Sequence, residues 1–151
     1  MSEQQTQKYG AQNASDGEIR FTVYGDPIPK ARPRVVNNHA YTPSRTKDHE
    51  TKIALVYKSI YHGFCFEKGV PLRMETDFYI KIPQSASKKA RARMESGEER
   101  PTKKSLDVDN CGKLVADALN GVAYHDDSQI VEMAARKFYG EPRTEIHVEK
   151  I

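Results

Sequence analysis

Carboxylate side chains concentrate in one short part of a chain that is otherwise mildly basic. Five aspartates lie between positions 107 and 127, whereas the whole chain of 151 residues has a formal net charge of +3. Asp107 and Asp109 are separated by one residue, and Asp126 and Asp127 are adjacent. Mg²⁺ typically binds one or two protein carboxylates and keeps water or phosphate oxygens in its other positions. Such a pattern is therefore compatible with a site for a hard divalent cation such as Mg²⁺.

The first acidic pair precedes the clearest helical pattern of the chain, which runs from about 110 to 120. If residues 107–109 are extended, Asp107 and Asp109 point to the same side. Asp109, Lys113 and Asp117 then follow each other at a spacing of four residues, which places them along one helix face. The apolar residues occupy the other face (Cys111, Leu114, Val115, Ala118 and Leu119). The spacing predicts a polar stripe that is available for chemistry while the apolar stripe packs.

Ordinary structural roles fit the same residues. An aspartate before a helix is a common N-cap, Lys113 and Asp117 can form a surface ion pair, and Asp126 and Asp127 can stabilise a turn. An Asp-x-Asp pair alone favours this structural interpretation, whereas two acidic pairs on either side of one short helix favour a functional site. Another Asp-x-Asp enzyme, such as a phosphotransferase or a glycosyltransferase, ranks lower because no glycine-rich phosphate loop accompanies the pair.

Basic residues form two groups that could hold DNA phosphates. Lys30, Arg32 and Arg34 alternate in a proline-rich loop, for which a solvated loop is the alternative interpretation. The second group lies on a predicted short helix and directly before the acidic residues (Lys88, Lys89, Arg91, Arg93, Lys103 and Lys104). A nuclease needs both kinds of residue, since cations hold phosphate and carboxylates hold a metal ion.

The predicted elements follow the order β-α-β-α-α-β-β. Residues 18–151 are expected to form a single α+β domain, in which a mixed sheet packs with about three helices. Residues 1–17 are polar, lack periodicity and are predicted to be a disordered tail. The loop at 26–41 is expected to stay extended because of its prolines. The last two strands, at 131–140 and 144–151, predict an antiparallel hairpin around the segment GEPR.

The cysteine content and hydropathy bear on the cellular location. Cys65 and Cys111 form no CxxC motif, which is typical of a protein in a reducing cytoplasm. No apolar run approaches the ~18–20 residues of a membrane span, so no membrane partner is expected.

Taken together, the motifs resemble the RusA family of Holliday junction resolvases. The resemblance rests on GDPIPKARPR, on YTP, and on the later acidic motifs (Asp107, Asp109, Asn110, Lys113, Asp117-Ala118-Leu119 and Asp126-Asp127-Ser128-Gln129). It runs from about Phe21 to the C-terminus. Two positions depart from the family pattern: Ser105-Leu106 stands where Lys-Pro is frequent, and Cys111-Gly112 stands where a bulky apolar residue often follows the asparagine.

The resemblance implies a small homodimeric endonuclease of a bacterium, phage or prophage, acting in DNA recombination and repair in the cytoplasm of a bacterial or phage-infected cell. Its substrate would be a four-way DNA junction, cut by paired symmetric nicks that leave 5′-phosphate and 3′-hydroxyl ends. Asp107, Asp109 and Asp127 would bind Mg²⁺ and Lys113 would be the catalytic lysine, with Asp126 and Asp117 in support. The alternative is a catalytically silent module that binds junctions, and the presence of every matching acidic residue argues against it.

Overall fold

The α+β prediction is confirmed by a computed structural model, which describes residues 17–31, 34–41, 43–102 and 106–151. Its strands are β1 (Glu18–Tyr24), β2 (Arg34–Val36), β3 (His39–Tyr41), β4 (Leu72–Ile80), β5 (Ile130–Tyr139) and β6 (Arg143–Lys150). Its helices are α1 (Ser44–Tyr61), α2 (Lys88–Ser96) and α3 (Val108–Leu119), and a 3₁₀ turn covers Asp127–Gln129. No helix among the described residues is both long and apolar enough to cross a membrane.

The core lies between one face of the main sheet and the helices α1 and α3. Apolar residues alternate along the strands, so that β1 buries Ile19, Phe21 and Val23 on the same side. Helix α1 buries the face that its spacing predicts (Ile53, Tyr57, Ile60 and Tyr61). The apolar stripe of α3 is buried as well, and this helix contacts α1, β4 and β5. The packing therefore fixes α3, which carries the first acidic pair.

The predicted hairpin between the last two strands is wrong. The sheet order is β1-β6-β4-β5, so β4 lies between β5 and β6. Strand β6 pairs antiparallel with both β1 and β4, whereas β5 pairs parallel with β4 at the edge of the sheet. The chain can reach a parallel neighbour because α2 and α3 form a long crossover between β4 and β5. The short loop between β5 and β6 therefore crosses the end of β4 instead of closing a tight hairpin.

Part of the proline-rich loop forms a small ribbon that the sequence analysis missed. Strands β2 and β3 pair antiparallel around Asn37 and Asn38, which both have positive φ angles of 51° and 64°. Two left-handed residues in a two-residue loop are typical of a type I′ hairpin, and asparagine tolerates this conformation well. The expectation of a wholly extended loop is therefore corrected at this ribbon.

The segment at 122–129 contains no regular strand. A single bridge joins Asn120 to Tyr124, and a turn then leads into the 3₁₀ turn before β5. The Tyr124 side chain is fully buried, and its hydroxyl donates a hydrogen bond of 2.5 Å to the Ala116 carbonyl oxygen of α3. This contact fixes the end of α3 relative to the second acidic pair.

Candidate active site

Helix α3 begins at Val108, two residues earlier than the pattern predicts. Asp107 has an extended backbone and is its N-cap, and one carboxylate oxygen accepts a hydrogen bond of 2.9 Å from the Asp109 backbone N–H. The other oxygen lies 3.3 Å from the Asn110 side-chain nitrogen. The expectation that residues 107–109 are extended is therefore wrong for Val108 and Asp109, which belong to the first helical turn. Capping, rather than strand geometry, orients the Asp107 carboxylate over the first turn of α3.

The predicted polar stripe of α3 faces solvent. Asp109 and Lys113 are exposed, and Asp117 is half-buried two turns further along the helix. The Lys30 ammonium lies 3.2 Å from an Asp117 carboxylate oxygen and 2.5 Å from a Glu50 carboxylate oxygen. Burial lowers the pKa of Lys30, but the hydrogen bonds with Glu50 and Asp117 outweigh burial and raise it overall. The positive charge of Lys30 therefore partly offsets the negative charge of the Asp117 carboxylate.

Two contacts fix the start of α3 to the rest of the domain. The Lys30 backbone N–H donates a hydrogen bond of 2.8 Å to the Asn110 carbonyl oxygen. The Lys137 ammonium of β5 donates one of 2.8 Å to the Leu106 carbonyl oxygen, directly before Asp107. The first acidic pair is therefore held from two sides, by the proline-rich loop and by the edge strand.

The second acidic pair lies in the turn formed by residues 125–129, which we call the 125–129 turn. Both carboxylates are exposed, and the Ser128 hydroxyl donates a hydrogen bond of 3.0 Å to Asp126. This bond and a hydrogen bond with Asp127 lower the pKa of Asp126. The same contact with Asp126 raises the pKa of Asp127, and desolvation and the charges of Asp126 and Asp117 add to the effect. Helix α3 contacts the 3₁₀ turn at Asp127–Gln129, so the 125–129 turn packs beside this helix.

The aspartates form a row rather than a closed cage. Asp109 and Asp117 are separated by about 12 Å along the helix axis, at about 1.5 Å per residue. Within the described ranges, Asp107, Asp109 and Asp127 do not bring three ligand atoms within 4.8 Å of one another. We call Asp107, Asp109, Asp117, Asp126 and Asp127 the acidic row.

On the opposite face of the sheet, three other residues do bring their potential ligand atoms close together. Ligand atoms of Glu18, His147 and Glu149 lie within 4.8 Å of one another. Arg73 already binds one Glu149 oxygen at 2.8 Å, and the His147 ring binds Glu18 at 3.1 Å. These groups form an ion-pair network on the outer face, where partly exposed pairs are each worth at most about 1 kcal/mol.

The acidic row has the donor chemistry that a hard divalent cation needs. A carboxylate offers about four lone-pair sites, and the two capping contacts of Asp107 leave capacity on both of its oxygens. Asp109, Asp126 and Asp127 are exposed. Oxygen donors with no histidine or cysteine among them suit Mg²⁺. The assignment of Asp107, Asp109, Asp126 and Asp127 as ligands of this ion stays a prediction.

The basic residues predicted to contact DNA differ in whether their side chains already have partners within the protein. Lys88 and Lys89 at the start of α2 are exposed, whereas Arg91 donates to the Pro83 carbonyl oxygen at 3.3 Å. Lys30 is engaged in the ion pairs with Glu50 and Asp117. Arg32, Lys103, Lys104 and the Arg34 side chain lie outside the described residues. All of these DNA contacts stay predictions.

Three residues that support the acidic row have no role predicted from the sequence (Glu50, Lys137 and Gln129). Strand alternation places Lys137 two residues after Ala135, which packs toward Gly112 of α3, so an inward-facing lysine could have been noticed. Gln129 stands in the quoted motif and is only 7 % exposed. Glu50 gives no sequence signal, because its partner Lys30 lies in a loop of irregular path.

Two comparisons with known proteins bear on this site. A family described as "Endodeoxyribonuclease RusA" matches residues 24–149, which include the whole acidic row. A protein of Bacillus subtilis (strain 168), described as "Uncharacterized protein YqaN", is 40% identical over 140 residues. That similarity covers 88% of this chain and 96% of the relative.

Proposed function

Since the chain belongs to the RusA family, whose members are endodeoxyribonucleases that resolve Holliday junctions, we propose that it cuts four-way DNA junctions by paired symmetric nicks in a Mg²⁺-dependent reaction. The observation that carries this proposal is the acidic row, which faces solvent along α3 and the 125–129 turn with Lys113 in its middle. A second candidate, a silent junction-binding module, has no specific observation in its favour.

In this proposal Asp107, Asp109 and Asp127 are the metal ligands, and Asp126 supports Asp127. Mg²⁺, when bound, would activate water and neutralise phosphate oxygens during in-line attack. Lys113 lies one helical turn from Asp109, and its ammonium would stabilise charge that develops on the phosphate. Asp117 would fix Lys30 beside the row, as its 3.2 Å ion pair suggests. The expected products carry 5′-phosphate and 3′-hydroxyl ends.

The proposed substrate also needs cations away from the metal. Lys88 and Lys89 project from the exposed start of α2, and the crossover from α2 leads toward Asp107. Phosphate contacts from such side chains position DNA without reading its sequence. Arg91, Arg32, Arg34, Lys103 and Lys104 are proposed as further contacts on the basis of the sequence.

Paired nicks require two active sites, and we propose a homodimer. Strand β5 is the edge of the main sheet, and its Val131 and Met133 are 59% and 48% exposed. A two-fold axis would place two acidic rows on symmetric strands of the junction. Recombination and repair in the cytoplasm of a bacterial or phage-infected cell are the proposed setting, consistent with two free cysteines.

The proposal is tested with a synthetic four-way junction labelled on each strand in turn. We expect Mg²⁺-dependent nicks at symmetric positions, which DNA ligase reseals because the ends are 5′-phosphate and 3′-hydroxyl. A linear duplex of the same sequence should not be cut. The Asp109→Asn variant should bind the junction in EDTA as the wild type does and lose at least roughly a hundredfold in cleavage rate.

Other results would point elsewhere. Tight junction binding by the wild type without any cleavage would support the silent module. Equal cleavage of junction and linear duplex would contradict selectivity for branched DNA, and nicks that persist in Asp109→Asn would remove the acidic row from the chemistry.

A further inference from the structure

The buried side chain of Gln129 uses its full hydrogen-bonding capacity. Its oxygen accepts hydrogen bonds from the backbone N–H groups of His125 and Asp126, at 2.9 and 3.1 Å. Its nitrogen donates to the carbonyl oxygens of Glu67 and Val70, at 2.9 and 3.2 Å. An amide has two acceptor sites and two N–H donors, and all four have partners here. The partners also fix its orientation, because a flipped amide would oppose donor to donor and acceptor to acceptor.

These four bonds join two segments that are far apart in the sequence. On one side lies the loop directly before β4, a central strand of the sheet. On the other side lies the backbone directly before Asp127. The Ser128 hydroxyl donates to Asp126, and the Asp126 side chain also accepts from the Gln129 backbone N–H; both bonds are local and give no link to the sheet.

The position of the second acidic pair depends on this link. Asp126 and Asp127 are exposed at their side chains, so packing does not fix them. Their backbone is fixed by the side-chain amide of Gln129, a residue that is 7 % exposed and bonded to the loop before β4. An apolar side chain of similar size could fill the space, but it would leave two N–H and two C=O groups without their partner.

We propose that Gln129 is a positioning residue, which holds the backbone of His125 and Asp126 so that Asp127 faces the polar stripe of α3. The inference rests on the proposed function, because it assumes that Asp127 binds the catalytic metal. Gln129 itself touches neither metal nor DNA in this proposal, and it acts through the turn that carries Asp126 and Asp127.

Two variants separate positioning from plain stability. Gln129→Glu has the same shape and keeps two acceptor oxygens, but it turns a carboxylate toward the Glu67 and Val70 carbonyl oxygens. Gln129→Met keeps the approximate length and removes all four bonds. Gln84→Glu applies the first substitution to an exposed glutamine and is the matched control. All proteins are assayed well below the lowest melting temperature of the set, so that each is folded.

The experiment compares the Mg²⁺ concentration for half-maximal junction cleavage with junction binding in EDTA. We expect both Gln129 variants to need roughly 10- to 100-fold more Mg²⁺, the usual effect of losing a group that orients a metal ligand. Junction affinity in EDTA should stay within about twofold, since none of the four hydrogen-bond partners of Gln129 is a proposed DNA contact. The Gln84→Glu control should match the wild type in both.

The outcomes distinguish this inference from the proposed function. If the wild type cleaves and the folded variants need no more Mg²⁺ than it does, Gln129 is a core residue only and the inference is overturned. If the variants lose metal-free junction binding to the same extent as cleavage, a general structural defect explains them and the inference is again overturned. If the wild type shows no Mg²⁺-dependent cleavage, the proposed function is overturned, and the inference about Gln129, which depends on it, is overturned as well.

Discussion

Three aspartates of the acidic row have structural contacts that leave lone pairs free. Asp107 caps α3, Asp117 pairs with Lys30, and Asp126 accepts from Ser128. The two interpretations that compete at the sequence level, cap or metal ligand, are therefore compatible at single residues. A cap orients the carboxylate through fixed bonds, which reduces the disorder that metal binding would otherwise have to remove.

The sequence identifies these residues by type and spacing but not by their partners. The ion pair between Lys30 and Asp117 joins a loop to a helix across 87 positions of the chain. The Gln129 amide likewise binds carbonyl groups about 60 positions earlier. Such contacts depend on tertiary packing, and no local pattern in a single sequence contains them.

A prediction at the residue scale concerns His49, which is buried in α1. Burial, together with the charges of Lys52 and Arg45, lowers the pKa of His49 from its ordinary value of 6.5. The folded state therefore binds fewer protons near this pH than the unfolded state does. Its contribution to stability is present above about pH 6.5 and is lost as the pH falls through the lower folded-state pKa.

Thermal melting between pH 7.5 and pH 5.5 tests this prediction. We expect the melting temperature of the wild type to fall more over this range than that of His49→Gln, because the variant lacks the group. The exposed His39 provides the control, and His39→Gln should keep the pH dependence of the wild type. Equal pH dependence in His49→Gln and the wild type would contradict the expectation.

At the scale of elements, α3 has an unusual start, in which Gly112 follows Cys111. Cys111 is fully buried, and burial raises the pKa of its thiol to about 12, so it packs as a small apolar residue. Gly112 faces the sheet, where an added Cβ would lie 3.5 Å from the Ala135 Cβ of β5. This is ordinary contact, so alanine fits at this position.

Gly112→Ala should therefore stabilise the protein by about 0.5–1 kcal/mol, through the entropy that glycine loses in a helix. Denaturant unfolding of the wild type and the variant measures the difference. Gly97→Ala is the opposing control, because Gly97 has φ +82° at the end of α2 and alanine there should cost roughly 1–2 kcal/mol. A destabilised Gly112→Ala would show that α3 sits closer to the sheet than its contacts indicate.

The exposed start of α2 gives a second prediction at this scale. Changing Lys88 and Lys89 together to glutamine should weaken junction binding and reduce the slope of log affinity against log salt by about two, at about 0.9 for each phosphate contact. Lys58→Gln, on an exposed position of α1, should leave the slope unchanged. Binding assays across a salt series measure both, and a slope equal to that of the wild type in the double variant would exclude α2 from the DNA contacts.

At the scale of the whole molecule, the predicted family and the α+β class are both confirmed. The burial pattern of α1 and α3 followed from helical spacing, because an amphipathic helix has only one face to bury. The order of the strands in the sheet, in contrast, did not follow from the sequence pattern. The rule that consecutive strands joined by a short loop form a hairpin failed, since β4 is inserted between β5 and β6 and the edge strand pairs parallel with β4.

The proposed function requires that the acidic row, and not the outer-face network, binds the metal. Titration with Mn²⁺, followed by electron paramagnetic resonance of the free ion, tests it directly in the wild type and in four variants. We expect Asp107→Asn, Asp109→Asn and Asp127→Asn each to weaken Mn²⁺ binding by about tenfold or more, while His147→Gln binds as the wild type does. Binding that survives all three aspartate variants and is lost in His147→Gln would place the metal at Glu18, His147 and Glu149 and would contradict the account.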